Sequence, residues 1–136
     1  MEREKVVALR MILLLVVAVM LIAGCSQKKN EETGTLQGTV TVGPLCPVEP
    51  CNLAPGALAK ALETRRVVVY TQDQSSTVIV VDLKSDGSYK TDLLPGTYLI
   101  DIHKIGMDSS GDVPKEITIE TGKTIELNID VDTGMR

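Results

Sequence analysis

The chain has 136 residues with 14 basic and 18 acidic side chains, which gives a formal net charge of -4. The folded part is mildly acidic and offers no footprint of clustered Lys and Arg, so we expect no binding of nucleic acid. Phe and Trp are absent and only three tyrosines are aromatic. The core must therefore be built from Val, Ile and Leu, and a platform that stacks sugars would be hard to assemble.

The N-terminal segment has the pattern of a targeting signal. Arg3, Lys5 and Arg10 precede an uncharged run of about thirteen residues that ends at Ala23, which is the size of a signal-peptide apolar region. A transmembrane helix needs roughly twenty apolar residues to cross about 30 Å of hydrocarbon. We therefore expect residues 1–24 to be a signal peptide; the alternative is an uncleaved anchor helix.

The end of this segment resembles the lipobox of prokaryotic lipoproteins. The residues that carry the resemblance are Leu21, Ile22, Ala23, Gly24 and Cys25. The resemblance implies that the chain is cut before the cysteine, that the Cys25 thiol is acylated, and that the protein is extracytoplasmic. One acyl chain gives only marginal membrane binding, so stable anchoring needs two chains or signals. The expected location is the cell membrane or the outer membrane, bound by lipid.

A polar tether and a single domain follow. Residues 26–33 are charged or polar without apolar side chains, so they cannot bury enough surface to form a core. With Cys25 they make a lipidated tether at 25–33. The part that remains, residues 34–136, has room for one hydrophobic core and not for two.

The pattern beyond the tether is that of short strands separated by turns. Apolar side chains alternate with polar ones from Leu36 to Val42, at Ile117–Ile119 and from Ile125 to Val131, which is typical of half-buried strands. The β-branched runs that begin at Arg66 and Thr77 predict central strands covered on both faces. Further strands are expected around Tyr89 and after Pro95–Gly96. Turns are expected at 73–76, at Asp86–Gly87 and at Gly122.

The fold class predicted from these elements is all-β. Seven short strands, with one short helix expected at Gly56–Glu63 in an early loop, predict an antiparallel β-sandwich. The stretch from Ser85 to Tyr98, SDGSYKTDLLPGTY, resembles the carboxypeptidase regulatory-like, or prealbumin-like, family. That resemblance implies a Greek-key topology and a structural or binding role.

Two cysteines remain after Cys25. Cys46 and Cys51 lie in the segment CPVEPC, and in an oxidising compartment an even pair predicts a disulfide. This disulfide would restrict the loop between the first strand and the helix. The alternatives are a redox pair, which favours the shorter C-x-x-C spacing, and a metal site, which needs more ligands than this chain offers.

No group of residues predicts catalysis. His103 lies near Asp101 on a strand without a positioned nucleophile, and the single Asp-Thr-Gly triplet at Asp132 lacks the second copy that an aspartic protease needs. The scattered carboxylates lack the spacing of a calcium loop; they are Asp82, Asp86, Asp92, Asp130 and Asp132. We therefore expect no enzyme activity, no metal and no cofactor.

The function expected from the sequence is that of a membrane-anchored structural or protein-interaction module of the cell envelope. Sheet edges or the loops at one end would contact an envelope protein of unknown identity. The alternative is a module that binds envelope glycan or a small ligand. That alternative predicts a concave polar pocket or an exposed tyrosine, and the candidates are Tyr70, Tyr89 and Tyr98.

Overall fold

A computed structural model describes residues 1–22, 32–48 and 50–136. The chain divides into two units, Met1–Asn30 and Glu31–Arg136. The first unit contains helix α1, Glu2–Ile22. Within the described ranges, the helices lack the combination of length and apolar character that a membrane crossing requires. Most of the tether and the lipobox residues Ala23, Gly24 and Cys25 lie outside the described residues, so cleavage and acylation remain predictions.

The second unit is a β-sandwich with one short helix. Its elements are β1 Gly34–Gly43, α2 Ala57–Glu63, β2 Arg66–Thr71, β3 Thr77–Asp82, β4 Ser88–Leu93, β5 Gly96–Ile102, β6 Lys115–Ile119, β7 Thr124–Glu126 and β8 Ile129–Asp132. The predicted early helix is confirmed and starts one residue later than expected.

The strands form two four-stranded sheets. In sheet 1, β1 lies between β4 on one side and β7 and β8 on the other; in sheet 2 the order is β3-β2-β5-β6. The core between the sheets is made of Val, Ile and Leu, as the composition predicted, together with the ring of Tyr89. Side chains at alternate positions of one strand point to one face, which explains why Val67, Val69, Ile100 and Ile102 are buried together.

The described residues contain eight strands rather than the predicted seven. The last predicted strand is divided at Leu127–Asn128 into β7 and β8, although both pair with β1 in the same register, Leu36 with Ile125 and Val40 with Ile129. At the break, the Tyr89 hydroxyl donates to the Leu127 carbonyl, 2.6 Å, and the Asn128 side chain accepts from the Thr39 amide, 3.0 Å. Side-chain bonds at this point explain the interruption.

Strand direction also differs from the prediction. Both β7 and β8 run parallel to β1, whereas the other pairings in the sandwich are antiparallel. The sequence predicted a wholly antiparallel sandwich, because alternation of side chains indicates a half-buried strand without indicating its direction. The turn at Gly122, with φ of 70°, leads from β6 in sheet 2 to β7 in sheet 1.

The prediction that β3 is a central strand is wrong. Only β2 pairs with it among the described strands, and residues Thr77 to Val80 are exposed. A run of β-branched residues favours the extended backbone at an edge as well as at the centre of a sheet, so the sequence could not tell the two apart. By contrast β2 is central, as predicted, and Val67, Val68 and Val69 are buried.

Candidate functional site

An apolar groove lies at the end of the sandwich where β1 and β8 finish. Its cavity volume is about 530 Å³, and none of its described lining residues carries a charge. They are Val42, Gly43, Pro44, Leu45, Cys46, Pro47, Val48, Cys51, Leu53, Leu58 and Met135. Because Val48, Leu53, Leu58 and Met135 are exposed, most of the surface that the groove presents to solvent is apolar.

The first wall of the groove is the segment that contains the predicted cysteines. Cys46 and Cys51 form a disulfide with their Cα atoms 5.8 Å apart, a normal separation for such a bond. The disulfide closes a loop that also contains Pro47, Val48 and Pro50. Two prolines and the cross-link restrict this loop, so Val48 is held at the surface.

The second wall is α2, which presents Leu58 to the groove and buries Leu62 in the core. After this helix, Arg65 forms a two-pronged ion pair with Asp108, Nε to Oδ2 2.7 Å and Nη2 to Oδ1 2.8 Å. The exposed fractions of the two side chains are only 8% and 2%. Arg65 also donates to the carbonyl of Ala61, so the pair fixes α2 against the loop after β5.

The electrostatics of this pair favour its charged form. Burial acts to raise the pKa of Asp108, but the hydrogen bonds from Arg65 and Ile105 and the positive charge of Arg65 outweigh it, and the pKa is lowered from its usual value. Sequence reasoning missed both residues. They are 43 positions apart, and neither lies in a pattern that marks it.

The floor of the groove is tied to the C-terminal segment. Thr133 is buried, its amide donates to the Gly43 carbonyl, and its hydroxyl donates to the Pro44 carbonyl. Asp132 accepts from the Gly134 amide at 2.8 Å and pairs with Arg136 at 2.6 Å. Both contacts lower the pKa of Asp132, and the hydrogen bond from the Gly134 amide has the larger effect. The Asp-Thr-Gly triplet therefore forms the turn that ends β8.

The structure does not assemble the other polar candidates into one site. His103 is exposed, and the Asp101 carboxylate accepts from the Ile102 amide at 2.8 Å. The remaining carboxylates have separate partners: Arg66 for Asp82, Ser88 for Asp86, Thr35 for Asp92 and Thr41 for Asp130. Across the described residues, no group of three or more metal-ligating side chains comes together.

The tyrosines do not line the groove. Tyr89 is buried beneath sheet 1, and burial raises its pKa to about 12. Tyr98 is half-buried and donates to the Leu94 carbonyl at 2.8 Å, while Tyr70 is half-buried on β2. A separate polar depression of about 470 Å³ has no aromatic residue in its described lining, which is Thr39, Thr41, Asp112, Glu126, Asn128, Ile129 and Asp130.

Comparisons with known proteins concern the fold alone. No family model matches the chain, and no curated protein matches it. A minor pilin of the Gram-positive pathogen Streptococcus agalactiae has a similar structure, with a TM-score of 0.50 and 16% identity over 74% of this chain and 44% of the pilin. This likeness supports the β-sandwich.

Two further solved structures are more distant. The TIE protein of Bacillus anthracis has a TM-score of 0.47 and 16% identity over 74% of this chain and 16% of its own. A DUF3823 family protein of Parabacteroides merdae has a TM-score of 0.41 and 19% identity over 75% of this chain and 47% of its own. The chain spans less than half the length of each of the three structures.

Proposed function

We propose that the protein is a membrane-anchored extracytoplasmic lipoprotein whose β-sandwich acts as a structural or protein-interaction module of the cell envelope. The apolar groove is its recognition surface, and the partner is an envelope protein that places an apolar segment in this groove. Acylated Cys25 provides the anchor, and no catalytic step is involved. The fold family is the carboxypeptidase regulatory-like sandwich that the stretch from Ser85 to Tyr98 resembles.

The observation that carries this proposal is the composition of the groove. Its described lining residues bear no charge, while four large apolar side chains around it are exposed. A groove of this kind gains free energy by covering apolar surface, and its described lining residues offer no charged group to orient a polar substrate. A binding role therefore fits its chemistry better than catalysis does.

The position of the groove agrees with a tethered module. The sandwich begins at Gly34, where β1 starts, and the groove adjoins Gly43, where β1 ends. At about 3.3 Å per residue, the two ends of β1 are roughly 30 Å apart. The groove therefore lies at the opposite end of β1 from Gly34, the residue where the expected tether joins the domain.

The glycan alternative has weaker support. No tyrosine is among the described lining residues of the groove, so stacking of a sugar ring has no platform there. The polar depression near Asp130 supplies the concave surface that the alternative requires. However, the Thr41 hydroxyl already donates to Asp130, and the Asp130 amide donates to Asp112, so several of its polar groups are already paired.

The test is crosslinking of the full-length, membrane-anchored protein in intact cells of its source, followed by mass spectrometry. Leu58→Glu places a charge in the groove. The matched control is Leu94→Glu, since Leu58 and Leu94 are 48% and 47% exposed and Leu94 follows the end of β4 that pairs with Gly34. We expect one near-stoichiometric protein conjugate that Leu58→Glu removes and Leu94→Glu retains.

The opposite results are equally clear. Conjugates spread over unrelated neighbours would refute the interaction module, and equal loss in both variants would refute the groove as its site. A third outcome would favour the glycan alternative. In that outcome no protein conjugate forms, a purified envelope glycan binds the full-length chain, and Asp130→Asn weakens this binding. Mass spectrometry of the Cys25 peptide from the same sample tests acylation directly.

A further inference from the structure

Strand β1 loses its neighbour on one side before it ends. Its antiparallel pairing with β4 extends from Gly34 to Thr39, which lies opposite Ser88, the first residue of β4. On the other side, its parallel pairing with β8 continues from Val40 to Gly43. Among the strands that the structure describes, the last residues of β1 therefore have a strand on one side only.

The hydrogen bonds of this part of β1 show the direction of its backbone groups. The Gly43 carbonyl accepts from the Thr133 amide, just after β8, whereas the Val40 amide donates to the Gly87 carbonyl, just before β4, at 2.9 Å. Successive residues of a strand present their backbone groups to opposite sides. Val42, two positions after Val40, therefore directs its amide and its carbonyl toward the side of β4.

These two groups of Val42 have no hydrogen-bond partner within the described part of the chain. Strand β4 does not reach them, because its first residue, Ser88, lies opposite Thr39. Val42 is only 9% exposed, and a backbone group in such a place needs a partner from protein or water. An occupant that excludes water here must supply an acceptor for the amide and a donor for the carbonyl.

The apolar groove lies on the same side of β1. An added Cβ atom on Gly87 would be 2.3 Å from the Val40 carbonyl oxygen and 3.4 Å from Leu62 of α2, so α2 lies beside this edge. Leu58, about one helical turn before Leu62, lines the groove together with Val42. The backbone groups of Val42 therefore face the space between β1 and α2.

The chemistry of the groove selects the kind of occupant. No side chain in its described lining carries nitrogen or oxygen, so hydrogen bonding is left to the backbone. An α-helix cannot pair with Val42, because its own backbone groups are bonded internally, and an acyl chain has no hydrogen-bonding group along its length. An extended segment has free backbone groups and can also present apolar side chains to the lining.

We propose that the groove binds an extended apolar segment of its protein partner, which takes the position beyond the start of β4 and pairs with Val42 as an added strand. The inference rests on the proposed function and names the conformation of the bound segment. An antiparallel direction fits this short site, because one partner residue then exchanges both hydrogen bonds with Val42. The main-chain bonds provide affinity, and the apolar lining selects the side chains.

The pairing also predicts the pattern of the segment. Directly opposite residues of antiparallel strands point their side chains to the same face. The Val42 side chain belongs to the core cluster, so the partner residue opposite it points inward and is apolar. The residues before and after it point to the outer face, where polar side chains are accepted.

Selection from a library of random short peptides tests the conformation of the occupant. The bait is the purified full-length protein in lipid nanodiscs, and Leu58→Glu serves for counterselection. An N-methyl scan of a selected peptide then removes one amide hydrogen at a time. We expect one central N-methyl group to raise the dissociation constant about tenfold, whereas N-methyl groups on its two neighbours should be tolerated.

Hydrogen exchange provides a measurement on the protein itself. The Val42 amide should exchange about tenfold more slowly when the selected peptide is bound, because the peptide accepts its hydrogen bond. Lys90 provides the control amide, since it lies on β4 at an outer edge of sheet 1, and its exchange should not change. Leu94→Glu should retain peptide binding.

The outcomes separate this inference from the proposed function. Equal weakening by N-methyl groups at every position, or unchanged exchange of the Val42 amide in the complex, would overturn the added strand even if the groove retains its partner in cells. If the library yields no Leu58-dependent peptide and decanoate binds instead, the occupant is an acyl chain and the inference is wrong. Peptide binding through Val42 without a conjugate in cells would support the added strand and refute the envelope partner.

Discussion

The groove end and the middle of sheet 1 are stabilised in different ways. At the groove end, two side-chain links hold the structure: the disulfide of Cys46 and Cys51, 5 positions apart, and the ion pair of Arg65 with Asp108, 43 positions apart. In the middle of sheet 1, β1 approaches the chain at Leu127 through Gly38, whose lack of a side chain makes room. We therefore expect removal of either link to destabilise the groove end, and any side-chain atom added at Gly38 to destabilise sheet 1.

The largest expected effect at the groove end comes from Arg65→Leu. The change leaves the Asp108 carboxylate buried without its partner, and breaking a buried pair in this way costs about 4 kcal/mol of unfolding free energy. Chemical denaturation measures it. Arg66→Leu is the matched control, because its pair with Asp82 is exposed and should contribute less than about 1 kcal/mol. Equal losses would contradict a special role for the buried pair.

The same ion pair predicts a dependence on pH. Asp108 has a pKa below its usual value in the folded chain, so its contribution is present above the unfolded pKa of about 4 and is lost as pH falls through the folded pKa. The unaltered chain should lose more unfolding free energy between pH 5 and pH 3 than Arg65→Leu does. Identical pH profiles would show that Arg65 does not hold Asp108 ionised.

The next largest effect tests the close approach in sheet 1. A Cβ atom on Gly38 would lie 1.9 Å from the Leu127 carbonyl oxygen, so Gly38→Ala must move the backbone between β7 and β8. We expect a loss of about 3 kcal/mol. Gly111→Ala is the control, since nothing lies within 4 Å of its added Cβ, and its unfolding free energy should be almost unchanged. A tolerated Gly38→Ala would show that β1 can separate from Leu127.

Removal of the disulfide should have a smaller effect. Replacing both Cys46 and Cys51 with Ser frees a short loop, for which the chain-entropy model gives about 2 kcal/mol. Reduction of the disulfide in the unaltered chain should lower the free energy of unfolding by the same amount, as measured by chemical denaturation. If the loss is the same but the Leu58-dependent conjugate persists, the cross-link stabilises the fold without shaping the groove.

Much of the fold could be predicted from residue patterns. Alternation at Leu36–Val42 and Ile117–Ile119 identified strands, and the early helix was found within one residue. Two features required tertiary contacts. The exposure of β3 depends on which strands neighbour it, and the break at Leu127 depends on the hydroxyl of Tyr89, 38 positions away.

The candidate site was less accessible from the sequence. Cys46 and Cys51 could be paired because they are neighbours in the chain, and the triplet at Asp132 could be recognised as a turn. Arg65 and Asp108 could not, because a buried ion pair between distant residues leaves no periodic pattern. The apolar groove was also hidden, since Val48, Leu58 and Met135 come from three separate segments.

The smallest effect concerns Tyr89, which supports the break in the last strand. Tyr89→Phe keeps the buried ring but leaves the Leu127 carbonyl without its hydroxyl donor, so we expect a loss of about 1 kcal/mol of unfolding free energy. Tyr98→Phe removes the more exposed bond to Leu94 and should cost less. In an absorbance titration, the phenol that ionises near pH 12 should vanish in Tyr89→Phe alone. If it vanishes instead in Tyr98→Phe, the hydroxyl of Tyr89 is not shielded, and the side-chain explanation for the division into β7 and β8 fails.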